Sequence, residues 1–160
     1  MKIAKVISGG QTGADRAALD AAISWGVPHG GWCPKGRLAE DGPISEKYHL
    51  RETKAEDYAI RTRANVEVAD LTLIFSHGPL TGGSLLTQQF AEELQKPCVH
   101  IDLLEQPDVF QRSEDTDGIL LGIEDITLNV AGPRASGDSE IYIAVYTAMV
   151  RLLNEGRLSG

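Results

Sequence analysis

Basic residues are in short supply: 15 Lys and Arg against 23 Asp and Glu leave a formal net charge of -8. A nucleic-acid backbone needs clustered Lys and Arg, so this deficit argues against a nucleic-acid partner. It leaves room for one phosphate group, because a few backbone N–H groups make a local positive spot even on an acidic protein. Cysteine is scarce as well. Cys33 and Cys98 stand in separate apolar stretches, with no Cys-x-x-Cys pair and no metal-ligand spacing. Each reads as a buried strand thiol in a reduced chain, and no protein-ligated metal is expected. No apolar run is long enough to span a bilayer. The start, Met-Lys-Ile-Ala-Lys-Val-Ile-Ser, is too short and too charged for a signal peptide, so a cytoplasmic location and no membrane partner are expected. Also missing are a Gly-x-Ser-x-Gly elbow, a His-Glu-x-x-His pair and a Walker Gly-Lys-Ser/Thr. With no nucleophile or acid–base pair marked, no catalytic residue is named, and binding is favoured over catalysis.

What is present is the pattern of an ordinary globular chain of 160 residues, enough for one domain spanning 1–160. Ile3 to Ser8 is a β-branched apolar run that stops at Gly9-Gly10, which predicts a first strand. Thr12 is placed to cap an alanine-rich helix to about Trp25, stopped by Gly26 and Pro28. Gly31 to Cys33 predicts a second strand, and Pro34 to Glu52 a long loop, of a length that is often functional. Thr53 and Glu56 form a capping-box pattern for a second helix to about Val68. Strands follow at Leu71 to Phe75, Cys98 to Ile101 and Ile126 to Val130. Between them come a helix ending near Gln95 and a weaker one over roughly Asp108 to Gly122. A last helix covers about Ser139 to Glu155.

Strands that alternate with helices, and that are apolar throughout, predict a parallel sheet covered on both faces. The expectation is an α/β fold, a Rossmann-like three-layer α/β/α sandwich with a five-stranded parallel sheet in the order 2-1-3-4-5. The last helix carries two adjacent apolar stripes: Ile141, Val145, Ala148 and Leu152, then Tyr142, Tyr146, Met149 and Leu153. That width fits either a deeply buried helix or an oligomer interface.

Ligands of such sheets bind beyond the carboxyl ends of the strands, where the strand order reverses. Two glycine-rich turns open helices there: Gly9-Gly10-Gln11-Thr12-Gly13 and Thr81-Gly82-Gly83-Ser84. A helix start has unpaired amides and a partial positive charge, so both turns are read as holding a phosphate-bearing small molecule. Lys35 and Arg37 follow the second strand, Ser76 and His77 the third, and Gly132, Arg134 and Ser136 the fifth. These complete the candidate ligand site, although Lys35, Arg37 and His77 also read as solvated loop residues.

Several strings are distinctive together. They are Ser8-Gly9-Gly10-Gln11-Thr12-Gly13-Ala14-Asp15-Arg16-Ala17, Gly31-Trp32-Cys33-Pro34-Lys35-Gly36-Arg37, Arg61-Thr62-Arg63-Ala64-Asn65-Val66, Thr81-Gly82-Gly83-Ser84-Leu85-Leu86-Thr87 and Asn129-Val130-Ala131-Gly132-Pro133-Arg134-Ala135-Ser136. With them the chain resembles the molybdenum cofactor carrier proteins, part of a Rossmann-like group that includes the lysine-decarboxylase-like phosphoribohydrolases. The resemblance implies a carrier of molybdenum cofactor (molybdopterin), which would be held by its phosphate and shielded until transfer. It also implies a homo-oligomer, possibly a tetramer. The alternative within the same group is a nucleoside monophosphate phosphoribohydrolase or a nucleotide-sensing module. The hydrolases carry Pro-Gly-Gly-x-Gly-Thr-x-x-Glu. Here Thr81 replaces the proline, Leu85 the third glycine and Gln89 the carboxylate, so the reading is not an enzyme.

Overall fold

The computed structural model describes residues 2–109 and 124–158. Strand β1 (Ile3–Ile7) leads through a glycine turn into α1 (Ala14–Ser24) and then β2 (His29–Gly30). Short strands β3 (Trp32–Cys33), β4 (Leu38–Ala39), β5 (Gly42–Pro43) and β6 (Arg51–Glu52) precede α2 (Tyr58–Val68). Then come β7 (Leu71–Ser76), α3 (Gly82–Leu94), β8 (Cys98–Asp102), β9 (Ile126–Ala131) and α4 (Ile141–Leu158). The predicted helix over 108–122 falls almost wholly outside the described residues.

The main sheet has five parallel strands in the order β2-β1-β9-β7-β8. α1 packs on α4, and α2 on α3, so helices cover the sheet in two pairs. This is the expected α/β/α sandwich, but the order 2-1-3-4-5 is corrected: the last strand lies between the first and the third. Crossover handedness permits both orders, so local sequence does not choose. Side-chain fit does. Asn129 on β9 reaches Thr72 on β7 across the buried ladder. Gly132, just past β9, passes so close to α1 and β7 that a Cβ there would stand 2.6 Å from both the Ala14 Cβ and the Phe75 carbonyl oxygen.

Three smaller expectations are also corrected. The sheet uses His29–Gly30; Gly31 turns the chain away, and Trp32–Cys33 pairs instead with Arg51–Glu52. Asn65 holds that detour, accepting from the Trp32 amide at 2.8 Å and donating to its carbonyl at 2.9 Å. α2 begins after Asp57, whose carboxylate accepts from the Ala59 amide, whereas Thr53 donates to the Ala55 carbonyl. α1 begins after Gly13 with no side-chain cap, since Thr12 is engaged elsewhere.

The core lies mainly between the sheet and the α1–α4 pair. Ala14, Ala17, Ala18, Ala21 and Ala22 are all buried, and their small side chains let α1 approach closely. On α4 both apolar stripes are accounted for within this chain. Ile141, Val145, Ala148, Met149, Leu152 and Leu153 are buried, and the half-buried Tyr142 and Tyr146 reach Asp20 and Ser24 on α1. Cys33 is buried, Cys98 is half-buried, and both are free thiols. No described helix is long and apolar enough to cross a membrane.

Asp20 is a knot between layers. One carboxylate oxygen accepts from Tyr48 at 2.5 Å and the other from Tyr142, tying the long loop to α1 and α4. Burial and the Asp20 carboxylate push both phenols far above the ordinary tyrosine value. Both should therefore stay protonated in alkali that ionises ordinary tyrosines, as read by absorbance at the phenolate band. Asp20→Ala should release them and lower stability by about 2 kcal/mol in urea, the scale of two partly exposed charge-assisted hydrogen bonds.

Candidate functional site

The carboxyl ends of β1, β9 and β7 open on a cleft of about 750 Å³, within the range of small-molecule sites. The β1 turn contributes Gln11, the first turn of α1 contributes Asp15, and α2 contributes Tyr58, Arg61 and Thr62. The end of β7 adds Ser76 and His77, the α3 start adds Thr81 to Ser84, and the β9 turn adds Gly132, Arg134 and Asp138. Because β9 lies between β1 and β7, and not at the sheet edge as the expected order had it, its own turn forms the back wall.

The two glycine turns are not equivalent. At the α3 start Thr81 is extended and makes no side-chain cap bond, so no side chain of that turn satisfies the first amides. A Cβ at Gly82 or Gly83 would meet nothing within 4 Å, so both stand in open space. This start leaves its first amides and its partial positive charge accessible, the geometry that suits an anion. At the α1 start the comparable positions are occupied. The Ala14 amide donates to the Pro133 carbonyl and the Gln11 amide to the Asp15 carboxylate. Gly10 faces away from the cleft, where a Cβ would strike Leu50 and Ile44. The expectation of two helix starts sharing one anion is therefore corrected to one open start.

Of the sequence-predicted residues, Gln11, Ser76, His77, Thr81, Gly82, Gly83, Ser84, Gly132 and Arg134 line the cleft. Gly9, Gly10, Thr12, Gly13, Lys35, Arg37 and Ser136 do not. Gly9 lies beneath the Arg61 guanidinium, since a Cβ there would stand 2.6 Å from Arg61 Nε. Arg37 donates to the carbonyls of Ile44, Leu50, Ser45 and Tyr48, and so shapes the long loop from inside. Thr12 and Ser136 both donate to the Glu40 carboxylate, with the Ser136 amide as a further donor at 3.1 Å. These bonds hold the Glu40 carboxyl below its ordinary value, Ser136 contributing most. They tie the long loop to the β9 turn. Lys35 is exposed and is not part of the cleft lining.

The sequence reading gave no role to Arg61, Tyr58, Thr62, Thr87, Asp15 or Asp138 in this cleft. Arg61 was present in one of the distinctive strings, but its direction depends on where α2 docks. The Tyr58 ring lies 5.4 Å from the Arg61 guanidinium and 5.8 Å from that of Arg134, so one aromatic ring associates with both cations. Arg61 also donates to Thr62 at 2.8 Å and stands 3.9 Å from the Asp15 carboxylate. His77 Nδ1 is 2.6 Å from Asp138, and Ser76 bridges the Gly78 carbonyl and His100. Each cleft acid apart from the exposed rim residue Glu140 thus has a partner. Among the described residues no group of three or more His, Cys, Asp or Glu is placed to hold a metal ion.

Asp15 is the most enclosed of the acids. Burial raises its carboxyl above the usual value, against the opposing pull of Arg61, Arg16 and the Gln11 and Gly9 amides. The folded state therefore holds this proton more tightly than the unfolded chain does. The contribution to stability is largest below 3.8 and declines as the pH rises from there through the folded value. Asp15→Asn keeps an acceptor for the Gln11 amide and should flatten that limb of the stability curve. Urea unfolding from about pH 3 to about pH 7 measures it, and an unchanged slope would assign Asp15 an ordinary carboxyl.

Against known proteins, the family model described as "Circularly permutated YpsA SLOG family" matches residues 6–153. No curated protein matches the chain. The solved structure of a protein described as "Putative molybdenum carrier protein", from Syntrophus aciditrophicus, is similar at 50% identity. The match covers 94% of each chain with a TM-score of 0.81.

Proposed function

The chain belongs to the circularly permutated YpsA SLOG family, and from that premise we propose that it binds and carries molybdenum cofactor, held by its phosphate. The observation that carries this reading is the open α3 start facing two arginines across one cleft. Free helix amides and guanidinium groups are the donors that a phosphate takes best. The fit extends beyond the phosphate. The cleft volume of about 750 Å³ accommodates a tricyclic pterin with its phosphate, and Tyr58 offers a ring beside it. The likeness to the Syntrophus aciditrophicus protein supports the same cargo. On this reading Gly82, Gly83, Ser84 and Arg134 hold the phosphate, and Arg61, Tyr58 and Gln11 flank the pterin. Seating in the cleft would cover the face of the cofactor that lies against its walls and so slow its oxidation.

Purified protein mixed with molybdenum cofactor should retain it through native mass spectrometry and slow its oxidation. Equal oxidation rates with and without protein would remove the carrier function. Incubation with a panel of nucleoside monophosphates should release no free base; release would move the assignment to the hydrolases of the same fold group.

A further inference from the structure

The long loop from Pro34 to Glu52 contributes no residue to the cleft wall, yet its tip is bonded to two elements that do. The β4–β5 hairpin turns at Glu40 and Asp41. Asp41 binds the Arg16 guanidinium through two contacts, at 2.5 and 3.1 Å, and the Glu40 amide donates to Gln11 Oε1 at 2.9 Å. These bonds fix the tip against the start of α1. The Glu40 carboxylate then reaches the β9 turn. One of its oxygens accepts from Thr12 Oγ1 and from the Ser136 amide at 3.1 Å, and the other accepts from Ser136 Oγ at 2.6 Å. Thr12 Oγ1 in turn accepts from the Ala135 amide at 3.1 Å. One carboxylate thus holds both residues that follow Arg134, Ser136 directly and Ala135 through Thr12. Before Arg134, the Pro133 carbonyl accepts from the Ala14 amide.

Arg134 itself has little to fix it. It is exposed, the Tyr58 ring lies 5.8 Å away, and among the described residues its guanidinium makes no hydrogen bond. Its place in the cleft lining is therefore set by the backbone that carries it. A long side chain loses rotamer freedom when it engages a ligand, and a fixed root lowers that cost.

We propose that Glu40 is a positioning residue: through Ser136 and Thr12 it holds the β9 turn so that Arg134 meets the phosphate of a bound phosphate ester. The long loop then braces the cleft without lining it. This rests on the phosphate-binding reading above and assigns the loop its part in it. Simple electrostatics predicts the opposite sign. The Arg134 guanidinium is close enough to act on the Glu40 carboxylate. A carboxylate there opposes an incoming anion, so on charge alone its removal strengthens binding.

The test uses the full chain, with guanosine 5′-monophosphate as the phosphate-ester probe and titration calorimetry as the readout. Glu40→Ala should weaken binding by about tenfold, the scale of one misaligned charge-assisted hydrogen bond. Glu40→Gln keeps one acceptor oxygen and should fall between wild type and Glu40→Ala. In an Arg134→Ala background, Glu40→Ala should add no further loss, because no guanidinium remains to be placed. A second readout needs no ligand. In 15N-labelled Glu40→Ala the Arg134 Nε–H should become more mobile, and the Ser136 amide should exchange with solvent about tenfold faster. Binding that is unchanged or stronger in Glu40→Ala, an equal loss with and without Arg134, or unaltered Arg134 mobility each overturns the brace. The outcome is separable from the readings it builds on. If wild-type protein does not bind the nucleotide, the phosphate reading fails and Arg134 mobility decides the brace alone. If molybdenum cofactor fails to bind while the nucleotide behaves as expected, the cargo is wrong and the brace stands.

Discussion

Gly13→Ala should lower the unfolding midpoint by about 10 °C. The added Cβ would stand 2.3 Å from the Pro133 carbonyl oxygen and 2.9 Å from the Ala135 amide nitrogen, both backbone atoms that cannot rotate away. Gly13 also has φ of 80°, a region that L side chains adopt at a cost. Overpacking and backbone strain together amount to about 3 kcal/mol, and for a domain of this size each kcal/mol shifts the midpoint by about 2–4 °C. The effect reaches the cleft, because the Ala14 amide that follows Gly13 bonds to the same Pro133 carbonyl. Moving that carbonyl displaces Gly132 and Arg134 in the back wall. Calorimetry on Gly13→Ala beside wild type reads the shift, and a change within about 2 °C would mean that the β9 turn yields freely.

Arg61→Gln should weaken binding of a phosphate-bearing heterocycle by about 30-fold or more, the loss expected when a buried guanidinium stops donating to a ligand. The residue also belongs to the fold. It covers Gly9, lies beside Tyr58 and faces the Asp15 carboxylate, so a stability change must be told apart from a binding change. Arg61→Lys makes that separation. It keeps a cation near Asp15 but loses the planar fork, so stability should recover more than affinity does. Lys35→Ala is the opposite control. Sequence reading places Lys35 at the ligand, and the structure places it outside the cleft, so titration calorimetry should find its affinity unaltered. A loss at Lys35 equal to that at Arg61 would overturn the cleft assignment.

On the proposed reading, recognition rests on helix amides and guanidinium groups that act at short range. That suits an acidic protein. With a net charge of -8, long-range attraction of an anion is unfavourable, and capture falls to short-range donors that act only inside the cleft.

The alternation of apolar runs with glycine-stopped helices was enough to identify a layered α/β chain. The Thr81 to Ser84 turn was legible as the start of a helix, and a helix start carries its unpaired amides wherever it is placed. These are local consequences of backbone geometry, and the sequence by itself determined them. The position of β9 between β1 and β7 was not legible, since strands that are all apolar carry no label for their neighbours. Tertiary structure alone decided which donors remain available. Packing drew Arg37 into the carbonyls of its own loop, set Asp15 in the place of an external anion at the α1 start, and brought Arg61 from α2 over Gly9. Whether a polar group is free or satisfied depends on residues far away in the chain, and only the folded arrangement contains that information.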